Sequence, residues 1–169
     1  MMDEFSRELN QLLVCTYRNV GKLEEGMLHS VSGMEVSIGE LHLMEIIGES
    51  KDGGVMIGEL AQRMELTPPT VTVAVNKLAL KGYVVKTKST LDKRSVIVTL
   101  TRMGKKVNAA HRYFHEQMVR NIEKLLAPGE REGMLHGMQM LNQFFQDALV
   151  EMNQKADSAA LQSVNAERM

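Results

Sequence analysis

Two imidazoles one helical turn apart are the most chemically suggestive pair in this chain. His111 and His115 form a His-x-x-x-His unit. That spacing places both rings on one helix face, where neutral ring nitrogens can ligate zinc. A carboxylate and a third imidazole would complete a tetrahedron. Glu24, toward the end of a first helix, and His42, in a second, are the candidates. Cys15 is the sole cysteine, which excludes a disulfide framework and a four-cysteine zinc site and suits a reducing cytoplasm. A sensing thiol at Cys15 would need a cationic or hydrogen-bonding neighbour. No nucleophile motif, phosphate-binding loop or His-Glu-x-x-His occurs, so an enzyme is not expected.

The chain of 169 residues is 44% hydrophobic and 24% charged, enough for a core of about one domain. With 14 Met and no Trp, that core is aliphatic and adaptable. No 18-residue apolar run suggests a membrane span, and MMDEFSRELNQ lacks the cationic start and apolar stretch of a secretion signal. The net charge of −1 conceals an uneven distribution. Residues 1–66 carry five basic against twelve acidic side chains. Residues 67–106 carry nine basic (Lys77, Lys81, Lys86, Lys88, Lys93, Arg94, Arg102, Lys105, Lys106) against Asp92 alone. A forty-residue cationic stretch in an otherwise acidic chain implies a one-sided positive surface.

The elements that must position these groups follow from periodicity and punctuation. Apolar steps of three and four over residues 3–29 (Phe5, Leu9, Leu12, Val20, Leu23, Met27) give a first helix. Ser32–Gly33 is a loop. Ser37 with Glu40 is a capping box opening a second helix that ends near Gly48. Residues 51–54 are a turn, and Ile57–Met64 is a short third helix. Thr67 before Pro68 is a helix start: the residue ahead of proline is held extended, and the proline's missing N–H costs nothing at the first helical position. That fourth helix runs to Lys81 with Val71, Val75 and Leu78 inward, and Gly82 stops it. Tyr83–Ser89 and Ser95–Leu100 form a hairpin across residues 90–94. Thr101 caps a fifth helix to about Leu126, and Pro128 starts a last one to about Met152.

Short helix, tight turn, second helix and basic hairpin together make a winged helix–turn–helix, mainly α with a small β-hairpin wing. Such a unit lays its second helix in the major groove of double-stranded DNA. The outward residues would be Thr67, Pro69, Thr70, Thr72, Val73, Asn76 and Lys77. Asn76 can read adenine through paired bonds, and Thr or Val methyls can touch a thymine methyl. No Arg lies on this face, so an A/T-rich site is expected rather than strong guanine reading. Lys88, Lys93 and Arg94 would sit over phosphates or in the adjacent minor groove, with Asp92 orienting Arg94.

The stretch LAQRMELTPPTVTVAVNKLALKGYVVKTKSTLDKRSVIVTLTRMGKK resembles the core of the MarR family, above all in LALKGYV, DKRS and LTRMGK. The resemblance spans residues 3–152. It implies an obligate homodimer on a pseudo-palindromic operator, with Arg94 in the minor groove. Pro68, Pro69 and Val73 depart from the polar or basic residues common there. Glu24, His42, His111 and His115 occupy positions resembling those of zinc-responsive members. VSIGELHLMEIIG, TVTVAVNKLALKGYV and AAHRYFHEQMV are similar to the fatty-acid-synthesis repressor (FabT-like) subgroup. That similarity implies an acyl chain on acyl carrier protein as effector. Peroxide-sensing members carry a first-helix cysteine where Cys15 stands, but not with this chain's second helix, which lacks their tyrosines.

Dimerisation has an independent basis in the sequence. Met134, Met138, Leu141, Phe145, Ala148 and Met152 alternate steps of four and three, the spacing of a coiled-coil seam. The expected organisation is an N-terminal dimerisation helix (1–36), a DNA-binding core (37–106), C-terminal dimerisation helices (107–152) and a flexible tail (153–169). No cofactor is required in this reading. Zinc or an acyl chain would be an effector.

Overall fold

The capping box at Ser37 forms as its residues demand. Ser37 Oγ accepts from the Glu40 N–H at 3.3 Å, and the Ser37 N–H donates back to Glu40 Oε2 at 2.9 Å. In this computed structural model, which describes residues 2–30, 35–50, 54–88 and 95–166, that box opens α2 (Ile38–Glu49) after α1 (Glu4–Ser30). There follow β1 (Val55–Met56), α3 (Ile57–Arg63), α4 (Pro68–Leu80), β2 (Val84–Lys88), β3 (Val96–Leu100), α5 (Arg102–Leu125), a single 3₁₀ turn (Pro128–Glu130) and α6 (Arg131–Ala166). The strands form an antiparallel sheet in the order β1-β3-β2. Val84 faces Leu100 and Lys88 faces Val96, the register of a hairpin wing.

The two short helices end alike. After α3, the Glu65 N–H bonds the Gln62 carbonyl and the Leu66 N–H bonds that of Ala61, with Glu65 left-handed at φ 53°. After α4, the Gly82 N–H bonds the Ala79 carbonyl and the Tyr83 N–H that of Leu78, with Gly82 at φ 77°. Both are Schellman motifs, which satisfy carbonyls a helix end would otherwise leave bare. Gly82 announces its role in the sequence; Glu65 does not.

Contacts divide the chain into two compact units, Met1–Gln117 and Met118–Met169, with the boundary inside α5. In the first unit, Leu41, Leu43, Met44 and Ile47 of α2 meet Leu60 and Ala61 of α3, Val71, Val75 and Leu78 of α4, Val98 of β3 and Val107 of α5. Leu28 at the end of α1 joins this core. Lys81 fastens it from outside, its Nζ reaching Glu40 Oε2 at 2.8 Å and Oε1 at 3.0 Å. Gly104 is required where α5 leaves the sheet, because a Cβ there would stand 2.1 Å from the Tyr83 carbonyl oxygen.

Three features differ from the sequence-based expectations. β1 was not anticipated, since two residues are too few to show alternation. The 3₁₀ turn separates Pro128 from α6. α6 runs on to Ala166, past the end expected near Met152, because residues 153–166 contain no proline or glycine to stop the helix. The loop at Ser32–Gly33, turn residues 51–53 and the hairpin tip 89–94 lie outside the described residues.

Candidate nucleic-acid interface and histidine cluster

Thr67 makes α4 start where it does. Its side chain accepts from the Thr70 N–H at 3.4 Å, and Pro68 fills the first helical position. The Thr67 and Thr70 hydroxyls share a further hydrogen bond of 2.8 Å. With Val71, Val75 and Leu78 anchored inward, the opposite face turns out. Thr67, Pro69, Thr70, Val73, Asn76 and Lys77 are exposed, Val73 at 56%. Thr72 is half-buried, and its hydroxyl donates to the Pro68 carbonyl at 2.7 Å. Asn76 is engaged as well: Lys86 Nζ of β2 donates to its Oδ1 at 2.5 Å. Lys88 is exposed at the end of β2, while Asp92, Lys93 and Arg94 lie outside the described residues.

The second cluster lies within the first unit. Glu24 of α1, His42 of α2, and His111 and His115 of α5 converge, as their spacing alone could not establish. His111 Nε2 and His115 Nε2 stand 2.9 Å apart. Glu24 Oε1 lies 3.2 Å from His115 Nε2 and 3.8 Å from both His111 Nε2 and His42 Nε2. Burial lowers the pKa of His111 below its ordinary 6.5 and His115 repels its proton further, against the pull of Glu45 and Glu24. His111 therefore favours the neutral form that a metal requires. Its Nδ1 is buried without a hydrogen bond, with Glu45 Oε2 the facing carboxylate at 3.8 Å. Glu45 was not singled out in the sequence; its place three residues after His42 gave no signal.

Glu24, His111 and His115 suit three corners of a tetrahedral cation. Zinc–nitrogen and zinc–oxygen bonds of about 2.0–2.1 Å put neighbouring ligand atoms about 3.3 Å apart, and the separations among these three donors are 2.9, 3.2 and 3.8 Å, with His42 outside the triad and nearest it at Glu24. A ligating His111 Nε2 would leave Nδ1–H to donate to an outer carboxylate, the part Glu45 is placed to take. Cys15 is half-buried on α1, and the Arg18 guanidinium donates to its Sγ at 3.6 Å.

In the second unit, Val119, Ile122, Leu126, Met134, Leu135 and Met138 line an apolar groove of about 340 Å³. The seam expected on α6 is open to solvent along much of its length, with Met138 at 57% and Phe145 at 49% exposed. No helix among the described residues is long and apolar enough to cross a membrane.

The MarR family model matches residues 36–96, from the capping box to the first residue of β3. The fold is similar to that of Streptococcus pneumoniae FabT in a crystal structure with DNA. The match has a TM-score of 0.78 and 30% identity over 83% of this chain and 97% of that one. The chain belongs to the MarR family. Among curated proteins it is 24% identical over 139 residues to the uncharacterized HTH-type transcriptional regulator YfiV of Bacillus subtilis, covering 82% of each. It is 32% identical over 84 residues, half of each chain, to the HTH-type transcriptional repressor YetL of the same organism. This MarR-family protein is thus a winged-helix transcriptional regulator and not an enzyme.

Proposed function

We propose that this regulator is a homodimeric repressor that places α4 in the major groove of a pseudo-palindromic operator. The observation that carries the reading is the outward face of α4. It is capped, proline-initiated, free of acidic residues and backed by Lys86 and Lys88 of the wing strand. The likeness to a DNA-bound FabT structure supports it. Arg94 is assigned to the phosphate backbone or minor groove, and Lys93 with it, Asp92 orienting the guanidinium. The test is a salt titration on short duplexes. A protein neutralising six or more phosphates loses about a thousandfold in affinity between about 50 and 200 mM salt. An affinity indifferent to salt overturns the reading, and Arg94→Ala is expected to flatten the slope.

Two effector readings each rest on a specific observation. Similarity to the FabT-like subgroup favours control of fatty-acid synthesis by an acyl chain delivered on acyl carrier protein. The apolar groove on Val119, Ile122 and Met134 is an apolar surface of the kind such a chain requires. The second reading is zinc at Glu24, His42, His111 and His115, favoured by the convergence of the Glu24, His111 and His115 donor atoms, with His42 beside Glu24, and by the buried His111 Nδ1 that makes no hydrogen bond. Native mass spectrometry of freshly isolated protein separates them by mass. Stoichiometric zinc lost in His111→Ala supports the second reading; a metal-free protein indifferent to added zinc rejects it. An oxidant response through Cys15 is a third reading, rejected if Cys15→Ser is still released from DNA by organic peroxide.

A further inference from the structure

We infer that Lys86 and Asn76 act together as a two-donor reader of guanine, an inference that rests on α4 occupying the major groove. Asn76 alone would offer adenine a carbonyl acceptor beside an amide donor. The structure gives that carbonyl another partner. An ammonium group donates and cannot accept, so the amide atom facing Lys86 Nζ is Oδ1, and Nδ2 with its two hydrogens turns away from it.

Two features of these elements sustain the contact. Neither α4 nor β2 contains a carboxylate that could draw the ammonium away, and Asn76 supplies the only side-chain carbonyl on either. The β2–β3 pairing also fixes the strand position of Lys86, opposite Val98 at the buried middle of the wing rather than near its tip.

The outcome is a change in what the helix presents. Asn76 Nδ2 and Lys86 Nζ form adjacent donors, with the ammonium taking one lone pair of the acceptor between them. Guanine offers two adjacent acceptors, O6 and N7, on its major-groove edge; adenine offers one acceptor and one donor. The donor pair matches guanine and sets a cationic donor against the adenine amino group, which is itself a donor. Guanine reading thereby arises without any arginine on α4, its second donor coming from the wing strand.

Selection of sites from a random duplex pool with the full-length protein tests this. Asn76→Ala identifies the position it reads as the one whose preference relaxes. Wild type is expected to select guanine there. Lys86→Met, which frees the carbonyl, is expected to move that position to adenine by about tenfold while other positions hold. Lys86→Arg, retaining a donor, is expected to keep guanine. Adenine at that position in wild type overturns the inference. So does an unchanged motif in Lys86→Met with only a uniform loss of affinity and a shallower salt slope, the mark of a phosphate contact. A wild-type protein that selects no motif overturns the groove reading beneath it, which separates the two failures.

Discussion

Glu40 shows how one carboxylate can serve two structural purposes. It closes the capping box on Ser37 and receives Lys81 from the end of α4, tying the start of α2 to the helix that carries the proposed interface. Burial raises its pKa, but the bonds from Lys81 and the Ser37 N–H outweigh that and leave it below the ordinary 4.5. A depressed carboxylate contributes stability that is present above its unfolded value and lost as pH falls through the folded one. Urea titrations should show Glu40→Gln less stable than wild type by about 1–2 kcal/mol at neutral pH, the gap narrowing below pH 4.5. A gap that persists unchanged at pH 3 would falsify the assignment. At the same scale, Glu24 could be nominated from sequence, whereas Glu45 could not, because its relation to His111 exists only when α2 and α5 are packed.

Helix punctuation governs the next scale. The two Schellman motifs hold α3 and α4 at the turn that aims the exposed face, yet one has glycine at its left-handed residue and the other Glu65. A left-handed conformation costs a residue with a Cβ about 1 kcal/mol or more relative to glycine. Glu65→Gly is therefore expected to raise stability by about 0.5–1 kcal/mol, and Gly82→Ala to lower it by about 1 kcal/mol. Thermal denaturation of both variants checks the pair; opposite signs are the diagnostic result. Pro68, Gly82 and the Ser37 box were readable because they act within three or four residues of themselves. Glu65 was not, since left-handed geometry at a non-glycine is imposed by how tightly α3 must turn into α4.

At the scale of the whole molecule, the open apolar faces argue for a second copy. Met134, Met138 and Phe145 are each about half exposed on a helix whose seam spacing calls for a partner. Exposing so much apolar surface in a lone chain forgoes about 25 cal/mol for each Å² left in water. The double variant Met138→Glu, Phe145→Glu is expected to sediment as a monomer and to lose more than a hundredfold in operator affinity, since a single half-site would remain. Sedimentation equilibrium beside DNA titration decides it. A variant that stays dimeric places the interface elsewhere.

Sequence alone determined what is local: the helix starts at Ser37 and Thr67, the stop at Gly82, the inward residues of α4, the basic hairpin and the family these imply. Caps and periodicity express the chemistry of residues a turn apart, so no distant contact is needed to read them. Tertiary structure decided what depends on residues far apart in the chain. It joined Glu24, His42, His111 and His115 across three helices, added β1 to the sheet and turned the carbonyl of Asn76 toward Lys86 ten residues away. Each of those depends on the packing of separate elements, and a pattern along the chain carries no record of which side chains that packing brings face to face.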